Sequence, residues 1–72
     1  MDKNKFRQIF SSNLRAEMAR INYTQEQLAE LTGVSTEYIS RIENGKVNPT
    51  ITVAVKIASA LNVTLDTLMP IK

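Results

Sequence analysis

Thr36, Glu37, Ser40 and Arg41 crowd the polar side of one short segment, "STEYISRIENG", whose other side carries Ile39 and Ile42. If that segment is a helix with the two isoleucines turned inward, those four side chains share the opposite face. Arg41 offers a planar pair of N–H donors, Glu37 a carboxylate acceptor, and Thr36 and Ser40 hydroxyls that do either. Such a face can recognise a partner by hydrogen bonding, or simply be solvated. Bond-making chemistry has little to draw on. The 72 residues contain no His and no Cys, so the commonest general base, the commonest metal ligand and the thiolate nucleophile are all missing. No paired carboxylates sit in an apolar setting, and no glycine-rich loop could cradle a phosphate. The composition therefore points away from an enzyme and implies neither a cofactor nor a metal site.

The elements that must position this face are set out by sparse punctuation: two glycines, Gly33 and Gly45, and two prolines, Pro49 and Pro70. From about Asn4 to Ile21, Phe6, Phe10, Leu14 and Ile21, with Ile9, Ala16 and Met18, mostly follow three- and four-residue steps, which predicts an amphipathic helix closed at Asn22. Thr24 and Gln27 form a T-x-x-Q capping box that opens a second helix, and Gly33 ends it. Ser35 caps a third helix, Thr36 to about Glu43, terminated by Asn44-Gly45. Thr50 caps a fourth, reaching Leu61 or Asn62, and Thr64 a last turn or two stopped by Pro70. In "ITVAVKIA", Ile51, Val53, Val55 and Ile57 alternate as in a strand. Ala54, Ile57, Ala58 and Leu61 also make a helical stripe, and no second strand exists to pair with, so helix is the expectation. The expected architecture is all-α: a compact bundle of five helices forming one domain over residues 1–72, with a core built from aliphatic side chains.

The second and third helices have room for about two turns each, so packing must hold them. Ala29 allows close approach, Gly33 permits a sharp turn, and Val34 can tuck between the pair. That describes a helix-turn-helix over about residues 24–43. The stretch "TQEQLAELTGVSTEYISRIENGKVNPTI" resembles the phage repressor/Cro-type, or XRE-family, helix-turn-helix of bacterial and phage regulators. The matching features are the T-Q opening, Leu28-Ala29, Gly33-Val34-Ser35, Ile39, Ile42, Glu43-x-Gly45 and Pro49. "ALNVTLDTLM" resembles the end of the same domain, so the likeness runs from about Leu14 to Met69. The resemblance implies a lambda-repressor-like five-helix domain that binds double-stranded operator DNA, commonly as a homodimer. One position departs from the pattern: Met18 stands where the family often carries an Arg that pairs with the residue matching Glu43, so Glu43 needs another partner or is solvated.

Under that resemblance the polar face of the third helix enters the major groove. Arg41 then suits guanine O6 and N7, Glu37 a cytosine amine, and Thr36 or Ser40 a base edge or thymine methyl. Tyr38 lies between core and groove, and both packing and DNA contact stay open for it. Phosphate contacts are expected from Thr24 and Gln25 at the opening of the second helix, where the family usually carries a DNA-contacting Gln, and from Asn44, Lys46 and Asn48 after the third. Thr24 could equally serve as a cap alone, and Lys46 as a loose surface charge. Arg7, Arg15 and Arg20 are placed on the exposed side of the first helix.

One recognition helix reads only about four base pairs, so a two-fold homodimer on a palindromic operator is expected. Val63, Leu65, Leu68, Met69 and Ile71 are the interface candidates at the C-terminal helix, about residues 64–69, some of them being needed to close the monomer core. RNA polymerase or a protein antagonist are further partners to consider, and an antitoxin-like interaction module is the competing reading. No run approaches a membrane span, and "MDKNKFRQIF" lacks the apolar core of a secretory signal. The expected location is the cytoplasm, and the resemblance implies a bacterial or phage-encoded protein. A net charge of +2 permits a polyanion partner without demanding one. The resemblance leaves open a phage repressor, a restriction–modification controller and an antitoxin.

Overall fold

Hydroxyl caps start four of the helices. The computed structural model describes residues 3–70, with helices α1 (Lys3–Ile21), α2 (Gln25–Thr32), α3 (Thr36–Glu43), α4 (Ile51–Ala60) and α5 (Leu65–Leu68) and no strand among the described residues. Thr24, Ser35, Thr50 and Thr64 each sit in extended backbone and accept the N–H three residues on, at 3.1, 3.1, 3.2 and 3.3 Å. Thr24 also completes the expected box, its own N–H donating to Gln27 Oε1 at 2.8 Å. Each cap satisfies a backbone donor that the helix cannot reach.

The helix ends use the left-handed region. Asn22, Gly45 and Asn62 have φ of 60°, 70° and 57°. Behind each, the next N–H reaches back five residues: Tyr23 to the Met18 carbonyl, Lys46 to Arg41 and Val63 to Ala58, at 2.9, 2.8 and 3.0 Å. These are Schellman closures of α1, α3 and α4. Gly33, at φ 75°, ends α2 more simply, its N–H donating to the Ala29 carbonyl at 2.8 Å.

The hydrophobic core draws on every helix: Phe10, Leu14 and Met18 from α1, Leu28 from α2, Ile39 and Ile42 from α3, Ala54, Ile57 and Ala58 from α4, and Leu68 from α5, with Leu61 and Met69 beside them. In the alternating stretch the helical stripe prevails. Ala54, Ile57, Ala58 and Leu61 are buried, while Ile51 and Val55 face solvent at 72% and 50% exposure. Ala16, read into the α1 stripe, is exposed instead. α3 packs on both α1 and α2, α2 also meets α4, and α5 bridges α1 and α4. Asn13 fastens that last contact by donating to the Leu68 carbonyl at 2.9 Å.

Thr32 holds the turn between α2 and α3 in a way the sequence pattern does not announce. Its buried hydroxyl donates to the Leu28 carbonyl at 2.8 Å and accepts the Val34 N–H at 3.2 Å. Val34 itself is half-buried against the core, as expected of the residue after the glycine.

Candidate nucleic-acid interface

With Ile39 and Ile42 at 0% and 1% exposure, the register of α3 has no freedom. Its opposite side must face out. Thr36, Glu37 and Arg41 are exposed and Ser40 is half-buried. Arg41 Nη2 lies 3.7 Å from Glu37 Oε2, one helical turn apart, with both side chains mostly in solvent. A pair so exposed is weak and gives way readily to another partner for either group. Asn44 reaches back from the end of α3, its amide donating to the Ser40 carbonyl at 2.9 Å and lying 3.4 Å from Ser40 Oγ. Tyr38 is half-buried and packs against the core.

The two flanks expected to grip a backbone lie side by side. Gln25, the first residue of α2, donates from Nε2 to Glu43 Oε1, at the end of α3, at 2.6 Å. That bond sets the opening of α2 beside the segment that begins at Asn44. Thr24 is exposed and spends its hydroxyl on the cap, while Lys46 is exposed in the loop that follows. Asn48 is half-buried, and its Oδ1 is a buried acceptor without a hydrogen-bond partner.

Glu43, which lacks the arginine that the resemblance supplies at position 18, finds its partner in Gln25. A second group also comes to this residue: Arg15, on the exposed side of α1, donates from Nη1 to the Glu43 carbonyl at 2.6 Å. Sequence reasoning missed both bonds. The single hint was the absent arginine, which showed that Glu43 needed a partner without saying which. Arg20 is exposed and pairs with Glu17 at 2.7 Å, and Arg7 is half-buried with its guanidinium on the Asn4 side-chain oxygen.

At the C-terminal helix, Leu68 and Met69 are 0% and 4% exposed, so they belong to the monomer core and offer no surface to a second subunit. The physical reason is that α5 is a single turn lying on α1 and α4, and its apolar residues are what seal that junction. Val63 and Leu65 are half-buried, and Ile71 lies outside the described residues. Apolar exposure is found elsewhere: Leu31, at 58%, and Val55 line a shallow groove between α2 and α4. No cluster of potential metal ligands occurs among the described residues, and no helix among them is long and apolar enough to cross a membrane.

What this arrangement offers is a protruding polar helix face, donors and acceptors in fixed register, with helix-terminal N–H groups and a lysine-bearing loop beside it. Comparison with known proteins identifies the family. Residues 14–68 match the helix-turn-helix family HTH_3. The chain is 44% identical over 48 residues to an uncharacterized HTH-type transcriptional regulator of Archaeoglobus fulgidus, covering 67% of this chain and 68% of that protein. It is 33% identical over 63 residues to the control protein C.SmaI of Serratia marcescens, covering 88% of this chain and 75% of that one. Among solved structures, the restriction-modification controller protein C.AhdI of Aeromonas hydrophila superimposes with a TM-score of 0.81 at 30% identity, over 85% of this chain and 92% of that one. The chain belongs to the HTH_3 (XRE-type) helix-turn-helix family of DNA-binding transcriptional regulators.

Proposed function

We propose that this protein is a sequence-specific regulator of transcription that binds a palindromic operator as a homodimer, in the manner of a restriction–modification controller. The observation that carries the reading is the exposed polar face of α3, held in register by Ile39 and Ile42 on its reverse. Arg41 reads a guanine edge, Glu37 a cytosine amine, and Thr36 and Ser40 neighbouring edges or a thymine methyl. Tyr38 adds a contact at the rim of that face. Thr24 and Gln25 grip the phosphate backbone at the opening of α2, and Asn44, Lys46 and Asn48 grip it from the adjoining segment after α3. The likeness to C.SmaI and C.AhdI supports the controller reading in particular. A dimer doubles the sequence read and spaces its half-sites by about ten base pairs. Val63 and Leu65, the half-buried apolar residues flanking Thr64, are the proposed contact between subunits. Such a protein works where the DNA is, in the bacterial cytoplasm.

Selection of binding sites from a random duplex pool tests this, with wild-type protein and Arg41→Ala side by side. The expected result is an inverted repeat that relaxes at one position per half-site in the mutant. Weak, salt-sensitive binding without a consensus would refute it and turn attention to a protein partner.

A further inference from the structure

Glu43 is an awkward residue for its place. It ends α3, where the helix dipole is negative and a carboxylate is disfavoured, and phosphate groups are the proposed ligands of its neighbours. Its side chain is nonetheless half-buried and engaged, Oε1 accepting from Gln25 Nε2 at 2.6 Å. A carboxylate has no hydrogen to give, so this partner dictates which end of the Gln25 amide faces it: the NH2 group must. Arg15 supplies positive charge at the same spot by donating to the Glu43 carbonyl at 2.6 Å, which offsets the unfavourable dipole. Three helices thereby converge on one residue.

We infer that Glu43 is a positioning residue for DNA binding, its carboxylate holding the Gln25 amide so that the second N–H joins the free N–H groups at the start of α2 as a ready phosphate donor. This rests on the DNA-binding reading above. The benefit is entropic: a long, rotatable side chain is ordered before the ligand arrives. The consequence runs against simple electrostatics. Removing a negative charge near the DNA should tighten binding, whereas removing the anchor of Gln25 should weaken it. The sign of the effect separates the two.

A double-mutant cycle on a selected duplex, read by fluorescence anisotropy at fixed salt, tests the link. E43A removes the charge and the acceptor together and is expected to weaken binding roughly threefold to tenfold, the range of one net hydrogen bond. The loss should be the same on a random duplex, because a phosphate grip carries no sequence information. Q25A should weaken binding similarly, and the double variant should bind no worse than Q25A alone. Glu43→Asp keeps the charge but withdraws it by one methylene, and should lose affinity as E43A does. Circular dichroism at the assay temperature confirms that each variant is folded. Binding by E43A as tight as wild type or tighter, wild-type affinity in Glu43→Asp, or a full E43A loss added on top of Q25A overturns the inference. Failure of the wild type itself to bind any duplex refutes the DNA-binding reading and the inference together, which keeps the two failures apart.

Discussion

The Thr32 hydroxyl is expected to carry the angle between α2 and α3, and its removal gives a stability change that can be worked out beforehand. In Thr32→Val the shape of the side chain is kept and both hydrogen bonds are lost. The Leu28 carbonyl loses its hydroxyl donor but keeps access to the backbone of its own helix. The Val34 N–H loses its acceptor at 3.2 Å and sits in a half-buried turn, where water can compensate only partly. The cost of such a partly buried orphan, added to the lost bonds, is about 1–2 kcal/mol. For a domain of this size that lowers the melting temperature by on the order of 10 °C. It is also a large share of the ~3–5 kcal/mol that a core of this size supplies. Thr32→Ser is the control. It keeps both hydrogen bonds and gives up one buried methyl, at about 0.8 kcal/mol. Thermal and urea unfolding by circular dichroism should therefore rank wild type above T32S and T32S above T32V. If T32V proves as stable as T32S or more so, the hydroxyl is incidental and the site is held by apolar packing alone.

Three further outcomes follow from the same structure. At Gly33 an added Cβ would meet nothing within 4 Å, so the penalty at that atom comes from the positive φ. Gly33→Asn should be close to neutral, since Asn22 and Asn62 already adopt that region, while Gly33→Val should cost ~1–2 kcal/mol by urea denaturation. Lys46→Ala should weaken DNA binding evenly across sequences and reduce the slope of log affinity against log salt by about 2, one phosphate contact being lost in each subunit, measured by anisotropy titrations at several salt concentrations. Val63→Lys should leave the far-ultraviolet spectrum unchanged and shift sedimentation equilibrium towards the monomer; an unshifted dimer would place the subunit contact elsewhere.

The local grammar of this chain is written within a few residues of each boundary, and for that reason it can be read without a fold. Thr24, Ser35, Thr50 and Thr64 cap helices because a hydroxyl needs only the N–H three positions ahead. Asn22, Gly33 and Gly45 end helices because the left-handed conformation is a property of the residue itself. Even "ITVAVKIA", whose alternation suggests a strand, is settled by its neighbours: a threonine cap before it, an apolar stripe continuing to Leu61 after it, and no strand to pair with. The register of α3, and with it the outward face of Thr36, Glu37, Ser40 and Arg41, follows from the same short-range spacing. Other features exist only because helices distant in sequence are brought together. Gln25 and Glu43 are 18 residues apart, Arg15 and the Glu43 carbonyl 28, and Asn13 and the Leu68 carbonyl 55. Nothing within one helix decides that Leu68 and Met69 go inward while Leu65 stays half out, or that Asn48 Oδ1 is buried without a partner. Short-range hydrogen bonding and backbone preference make the helices legible one by one, while their mutual packing chooses which polar groups meet and which apolar ones are left at the surface.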